Sequence, residues 1–191
     1  MNRTIDDPRG PGETVLFAVC AAALLCGAAA GAAAARSVTD PGAVRSLGLA
    51  AGERAGFLRC LWEAGRFHAA VFLLSFFVLG APVIPAVCLT RGFLLGFSSA
   101  AAARFGGSFA LSAVAFGPAC LVSVPCLLVL APGAMARAGA LFSIAAAGRG
   151  NARPLYTAAF FRRCAVCAAV LCAAAATEAY LIPGLIPAVI P

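Results

Sequence analysis

Few side chains in this sequence are of a type that does chemistry, and most of them stand alone. Of the nine cysteines, Cys20, Cys26, Cys88, Cys120, Cys126, Cys167 and Cys172 lie inside apolar runs, where a thiol behaves as a small hydrophobe. Cys164-x-x-Cys167 has no second pair and no strand–helix–strand context, so it indicates neither zinc nor thiol–disulfide chemistry. His68 is the sole histidine. With no second ligand at metal spacing, it reads as a polar cap at a membrane edge rather than a metal ligand or general base. Glu178 is the only acid in the last apolar segment. A carboxylate at the centre of a bilayer costs roughly 2.5–3.5 kcal/mol, so it faces protein or water. By helical rise Glu178 stands about 22 Å beyond Arg163, toward the opposite interface. There it is either solvated or paired with Arg104. Arg91-Gly92-Phe93 followed by Gly96-Phe97 combines a cation with a Gly-xxx-Gly face, the pattern of an interfacial anchor beside a close helix contact. No G-x-S-x-G, Walker, H-E-x-x-H or paired-carboxylate pattern occurs in the sequence. The expectation is a protein without catalytic, cofactor-binding or metal-ligating residues, and not an enzyme.

The elements that hold these residues follow from composition. Hydrophobic residues make up 63% of the 191 and charged residues 11%, against about 25% charged in a soluble domain. Such a chain cannot cover a core with a polar surface. Long charge-free runs point instead to an all-α, polytopic transmembrane bundle of about five hydrophobic segments broken by proline and glycine. The fourteen basic residues are all arginine and the net charge is +7. They are scattered between apolar runs without interleaved aromatics, which speaks for membrane-flanking anchors and against nucleic acid as a partner. The lipid bilayer is the partner the composition implies.

Residues 1–13 read as a cytoplasmic tail and 14–191 as one transmembrane domain. The first span is expected over 14–35, about 33 Å of helix, with Gly27-Ala-Ala-Ala-Gly31 as a small-xxx-small seam for close helix approach. A cleaved signal peptide is the rival reading, opposed by the acids Asp6, Asp7 and Glu13 and by the length of the run. Residues 36–66 read as an amphipathic connection. Phe57, Leu61, Ala64 and His68 share one face and Arg59, Glu63 and Arg66 another, so with Trp62 this part resembles a helix lying on the membrane surface. Further spans are expected over 67–90, 92–109, 110–135 and 164–183. Gly80, Pro82 and Pro85 kink or unwind the first of these, Pro118 and Pro125 sit inside the third, and Pro183, Pro187 and Pro191 close the chain. Residues 138–148 read as a short separate apolar helix. No internal repeat stands out. The five arginines between 137 and 163, with no acid among them, place that connection in the cytoplasm. Four spans remain an alternative, with 92–103 re-entrant; arginine counting slightly prefers it.

Several of these residues resemble the stage II sporulation protein M family of endospore-forming bacteria, from about Arg66 to the C-terminus. The resemblance rests on Phe67-His68, Gly80-x-Pro82-Val83-Ile84, Arg91-Gly92, Gly96-Phe97, the pair Pro118 and Pro125, and Glu178-Ala179-Tyr180-Leu181 with Pro183. Ala69 and Ala119-Cys120 stand where the family pattern has polar residues. The resemblance implies a five-span anchor in the cell membrane, multi-pass, at the mother-cell or septal membrane of a spore-forming bacterium. It implies a scaffold that gathers two peptidoglycan-degrading partners, stage II sporulation proteins D and P, for septal wall thinning and engulfment. Whether the chain also forms homo-oligomers is left open. A small transporter or permease-like subunit is the alternative, since proline-broken spans and an intramembrane acid suit one too.

Overall fold

The computed structural model describes residues 11–38, 56–105, 109–147 and 156–180, with backbone alone for 11, 102, 105, 109–120 and 147. These residues form five helices and no strand. They are α1 (Pro11–Ser37), α2 (Phe57–Leu74), α3 (Gly80–Phe105), α4 (Phe109–Ala147) and α5 (Ala158–Tyr180). Four of them, α1, α3, α4 and α5, are long and apolar enough to cross a membrane. α2 is not in that class because its eighteen residues carry three charges, Arg59, Glu63 and Arg66. The expected all-α transmembrane bundle is the fold observed.

Four of the expected boundaries are corrected. Residues 67–90 are not one helix: α2 ends at Leu74, a turn occupies 75–79, and α3 begins at Gly80. Pro82 explains the break. Its ring in mid-helix would lose one backbone bond and clash with the carbonyl four residues back, whereas in the first turn its missing N–H costs nothing. The helix therefore restarts just before it. Residues 92–109 are likewise no separate span, because 92–105 form the second half of α3 and Arg91 is buried inside it rather than ending it. α4 runs on to Ala147 and absorbs the short helix expected at 138–148, and α5 starts at Ala158, before the expected 164.

Contacts between the helices give their directions. At one end Gly80 abuts Ala138, the Tyr156 hydroxyl donates to the Ser75 carbonyl (2.9 Å), and Arg163 lies 3.6 Å from Glu13. At the other end the Arg104 guanidinium donates to the carbonyls of Ala35 (3.3 Å), Arg36 (2.7 Å) and Val38 (3.1 Å). The helices thus alternate in direction along the chain, and α1 runs parallel to α3. The parallel pair repeats residues at equal height. Val19-Cys20 and Ala32-Ala-Ala-Ala-Arg36 in α1 recur as Val87-Cys88 and Ala100-Ala-Ala-Ala-Arg104 in α3, and the Arg104–Arg36 bond joins positions 68 apart. This local repeat is invisible until the two helices are laid side by side.

α2 is a member of the bundle and does not lie apart on its surface. Ala64, His68 and Val71 are buried, and Phe72 stacks on Phe160 of α5 (6.0 Å). Its charged face is as expected: Arg66 pairs with Glu63 at 3.0 Å. A core of Cys20, Leu24, Val71, Ile84, Cys88, Leu127, Leu130, Ala131, Ala134 and Phe160 joins all five helices.

Candidate functional site

Two features built from the singled-out residues organise the interior. The first is the seam between α1 and α3. A Cβ at Gly27 would meet the Leu89 carbonyl and lie 2.9 Å from the Phe93 nitrogen; one at Gly31 would meet the Phe93 carbonyl and lie 2.8 Å from the Phe97 nitrogen. From the other side, a Cβ at Gly92 would meet the Leu24 carbonyl and one at Gly96 the Ala28 carbonyl. The two Gly-xxx-Gly faces therefore pack on each other, backbone against backbone. In lipid, where no hydrophobic force draws helices together, such close packing is a main source of association. Phe97 stacks on Phe93 (6.2 Å) and packs against Ala35 and Ala101 below the seam.

The second feature is a polar cluster deep in the bundle, centred on Ser123 of α4. Its hydroxyl accepts from Arg91 of α3 (3.2 Å), and its carbonyl lies 3.1 Å from Nε2 of His68 of α2. His68 Nδ1 lies 3.0 Å from the Ala64 carbonyl. Both ring nitrogens thus face acceptors, and a neutral imidazole donates through one of them only. His68, Arg91 and Ser123 are all at least nine-tenths buried. The Arg91 guanidinium also lies over the Phe67 ring, 5.2 Å from its centroid, a cation–π contact strengthened by the absence of water. Glu178 of α5 is half-buried, and the cation whose charge acts on it is Arg91. The Glu178 carboxylate in turn lies within electrostatic reach of Cys60 at the start of α2. The cluster ties α2, α3, α4 and α5 together.

The expected partnership of Glu178 with Arg104 is therefore not what the bundle builds. Arg104 is spent on the carbonyls that end α1, a favourable place for a cation because the last carbonyls of a helix carry partial negative charge. His68 is no edge cap; it lies in the interior. Pro82 and Pro125 are exposed on the first turn of α3 and the flank of α4, Tyr180 is exposed at the end of α5, and Pro118 lies where only the backbone is described. Pro183 falls outside the described residues. Sequence reasoning missed Ser123, whose only signal was a hydroxyl in an otherwise apolar stretch. It also missed Tyr156, which stacks on Phe76 (4.8 Å). Burial holds the Tyr156 phenol above its ordinary pKa, and nearby Arg137 partly opposes this.

Two thiol pairs bridge helices as well. Cys20 of α1 and Cys88 of α3 are both fully buried in the same core cluster, their thiols within interacting reach of each other, while the Cys167 thiol lies 3.9 Å from the Cys126 carbonyl. Among the described residues no group of three or more His, Cys, Asp or Glu side chains converges as a metal site would. What this arrangement does chemically is join helices through hydrogen bonds, charge and backbone contact. The chain is a multi-pass helical membrane protein, and in comparisons with known proteins it matches no family model, no curated protein and no solved structure.

Proposed function

We propose that this protein is a non-enzymatic integral membrane scaffold that anchors a peptidoglycan-degrading complex, thinning the septal wall and driving engulfment during endospore formation. The observation that carries the reading is where the residues behind the family resemblance lie. Gly92 and Gly96 meet the α1 backbone, Gly80 abuts Leu74 and Ala138, His68 and Arg91 converge on Ser123, and Glu178 feels Arg91. Residues so placed serve to hold helices in a fixed arrangement, the property an anchor needs. On this reading the cutting of peptidoglycan belongs to the partners, stage II sporulation proteins D and P, and the site of action is the mother-cell or septal membrane.

The test is twofold. Detergent-solubilised protein from sporulating cells should copurify with both partners, and a deletion strain should stop before engulfment with its septal wall intact. A deletion strain that engulfs normally sinks the proposal. One observation favours a second reading, a small transporter: a buried arginine within electrostatic reach of a half-buried carboxylate inside the bundle is also the equipment of an ion path. Uptake into proteoliposomes that is abolished by Glu178→Gln would replace the scaffold reading with that one.

A further inference from the structure

The end of the bundle formed by the α2–α3 turn and the start of α5 has a combination that water does not explain. Turns between helices are ordinarily polar because they meet solvent. Here the turn reads Ser75-Phe76-Phe77-Val78-Leu79, and its last four side chains are all exposed, Phe77 by 61% and Leu79 by 68%. Much of the backbone of this turn is met within the protein, though among the described residues no bond is made by the amides of Val78 and Leu79. The amides of Ser75, Phe76, Phe77 and Gly80 bond to the carbonyls of Val71, Leu73, Leu74 and Phe77. The Ser75 hydroxyl donates to the Phe72 carbonyl (2.6 Å), and the Ser75 carbonyl receives the Tyr156 hydroxyl. Irregular backbone is tolerated at membrane depth when its polar groups are met by protein in this way.

Charge is gathered at the same height. Tyr156 and Phe160 bind the turn and α2 to the start of α5, and Arg162 and Arg163 follow within one helical turn, both exposed. Arg137 lies over the Phe160 ring, 3.8 Å from its centroid. Against these three cations the described residues at this end offer one acid, Glu13, at 3.6 Å from Arg163. Among the described residues no side chain pairs with Arg162. A guanidinium binds the two oxygens of a phosphate in its own plane, and anionic lipids are the phosphates that lie beside an apolar tip.

We propose that this end of the molecule binds the headgroups of anionic phospholipids, with Phe76–Leu79 inserted among the acyl chains and Arg162 and Arg163 closing on the headgroup phosphate. The proposal is independent of the scaffold reading. To test it, the full-length chain carrying Trp62→Phe and Phe77→Trp, so that the only indole sits on the tip, is reconstituted into vesicles. Dibrominated phosphatidylglycerol and dibrominated phosphatidylcholine, mixed in varying ratio with their unbrominated forms, serve as quenchers. The indole should be quenched by both lipids, with phosphatidylglycerol preferred several-fold. That preference should fall to unity when Arg162→Gln and Arg163→Gln are added. Leu79→Trp in place of Phe77→Trp should report the same. An indole that neither lipid quenches overturns insertion of the tip. Equal quenching, or a preference untouched by the arginine variants, overturns headgroup recognition. A preference erased by millimolar inorganic phosphate assigns the site to free phosphate instead of lipid and overturns the proposal as well.

Discussion

The seam between α1 and α3 makes a quantitative demand. A methyl group added at Gly96 would lie 2.7 Å from the carbonyl carbon of Ala28 and 2.8 Å from its Cα, where ordinary contact begins near 3.4 Å. The helices must therefore separate by at least 0.7 Å, more if the carbonyl oxygen governs. A gap of that size forfeits about a quarter to a half of each dispersion contact it opens, and overpacking of a close interface costs about 1–3 kcal/mol. Alanine's better helix propensity returns up to about 1 kcal/mol. The net expectation for Gly96→Ala is a loss of about 0–3 kcal/mol, where an uncrowded site would gain. Gly92→Ala should cost a similar amount, since its methyl would meet the Leu24 carbonyl. The double variant should cost well under the sum, because one separation relieves both clashes and contacting sites are not additive. Gly65 and Gly139 are the internal controls. Nothing lies within 4 Å of a Cβ at either, so Gly65→Ala and Gly139→Ala should stabilise by about 0.5–1 kcal/mol. Reversible unfolding in mixed micelles, followed by circular dichroism, measures all five variants. If Gly96→Ala behaves like Gly65→Ala, the two glycine faces do not pack on each other and the parallel arrangement of α1 and α3 is wrong.

Three further outcomes are expected. In a protein whose other cysteines are replaced by alanine, mild oxidation should join Cys20 to Cys88, seen by mass spectrometry as linked peptides. The pair Cys26 and Cys88 should stay unlinked, Cys26 being exposed, and linkage of that pair instead would shift the register. A double-mutant cycle between Glu178→Gln and Arg91→Met should give a coupling energy of about 0.5–3 kcal/mol. The same cycle with Arg104→Met should come out near zero, and the reverse ranking would restore the Arg104 pairing. Tyr156→Phe removes a hydrogen bond worth about 0.5–1.5 kcal/mol. Because the folded state holds the phenol's pKa above its unfolded value, Tyr156 contributes stability that is complete below about pH 10. That contribution is lost as pH rises through the raised folded value. The alkaline decline should be smaller in Tyr156→Phe, and an unchanged pH profile refutes the assignment.

That the chain is a helical membrane protein was legible without coordinates, because apolarity over twenty residues and a scarcity of charge leave lipid as the only medium that suits it. Gly27-xxx-Gly31 and Gly92-xxx-Gly96 were likewise legible as close-packing faces, since only the missing Cβ is needed to see that a backbone can approach. What α1 and α3 pack against was not legible, for spacing along one helix says nothing about which neighbour it meets. The interruption after Leu74 was visible as a kink or an unwound end within one span, and not as a separation into two helices. Its position depends on Pro82 being placed in a first turn, and on the Tyr156 hydroxyl reaching the Ser75 carbonyl 81 positions away in the chain.

The same division runs through the polar residues. Its place in an apolar segment marked Glu178, because a carboxylate in lipid must find a partner, whereas His68 and Arg91 read as an edge cap and an interfacial anchor. Their partners were decided by tertiary structure alone. Arg91 and Arg104 are the two cations of one helix, separated by 13 positions. Packing turns one inward to Ser123, within electrostatic reach of Glu178, while the other lies over the last carbonyls of α1. Composition and period dictate the medium and the helices, since those depend on each residue's own transfer energy and on its near neighbours. The pairing of charges and the meeting of backbones depend on distances across the bundle, which no local property of the chain contains.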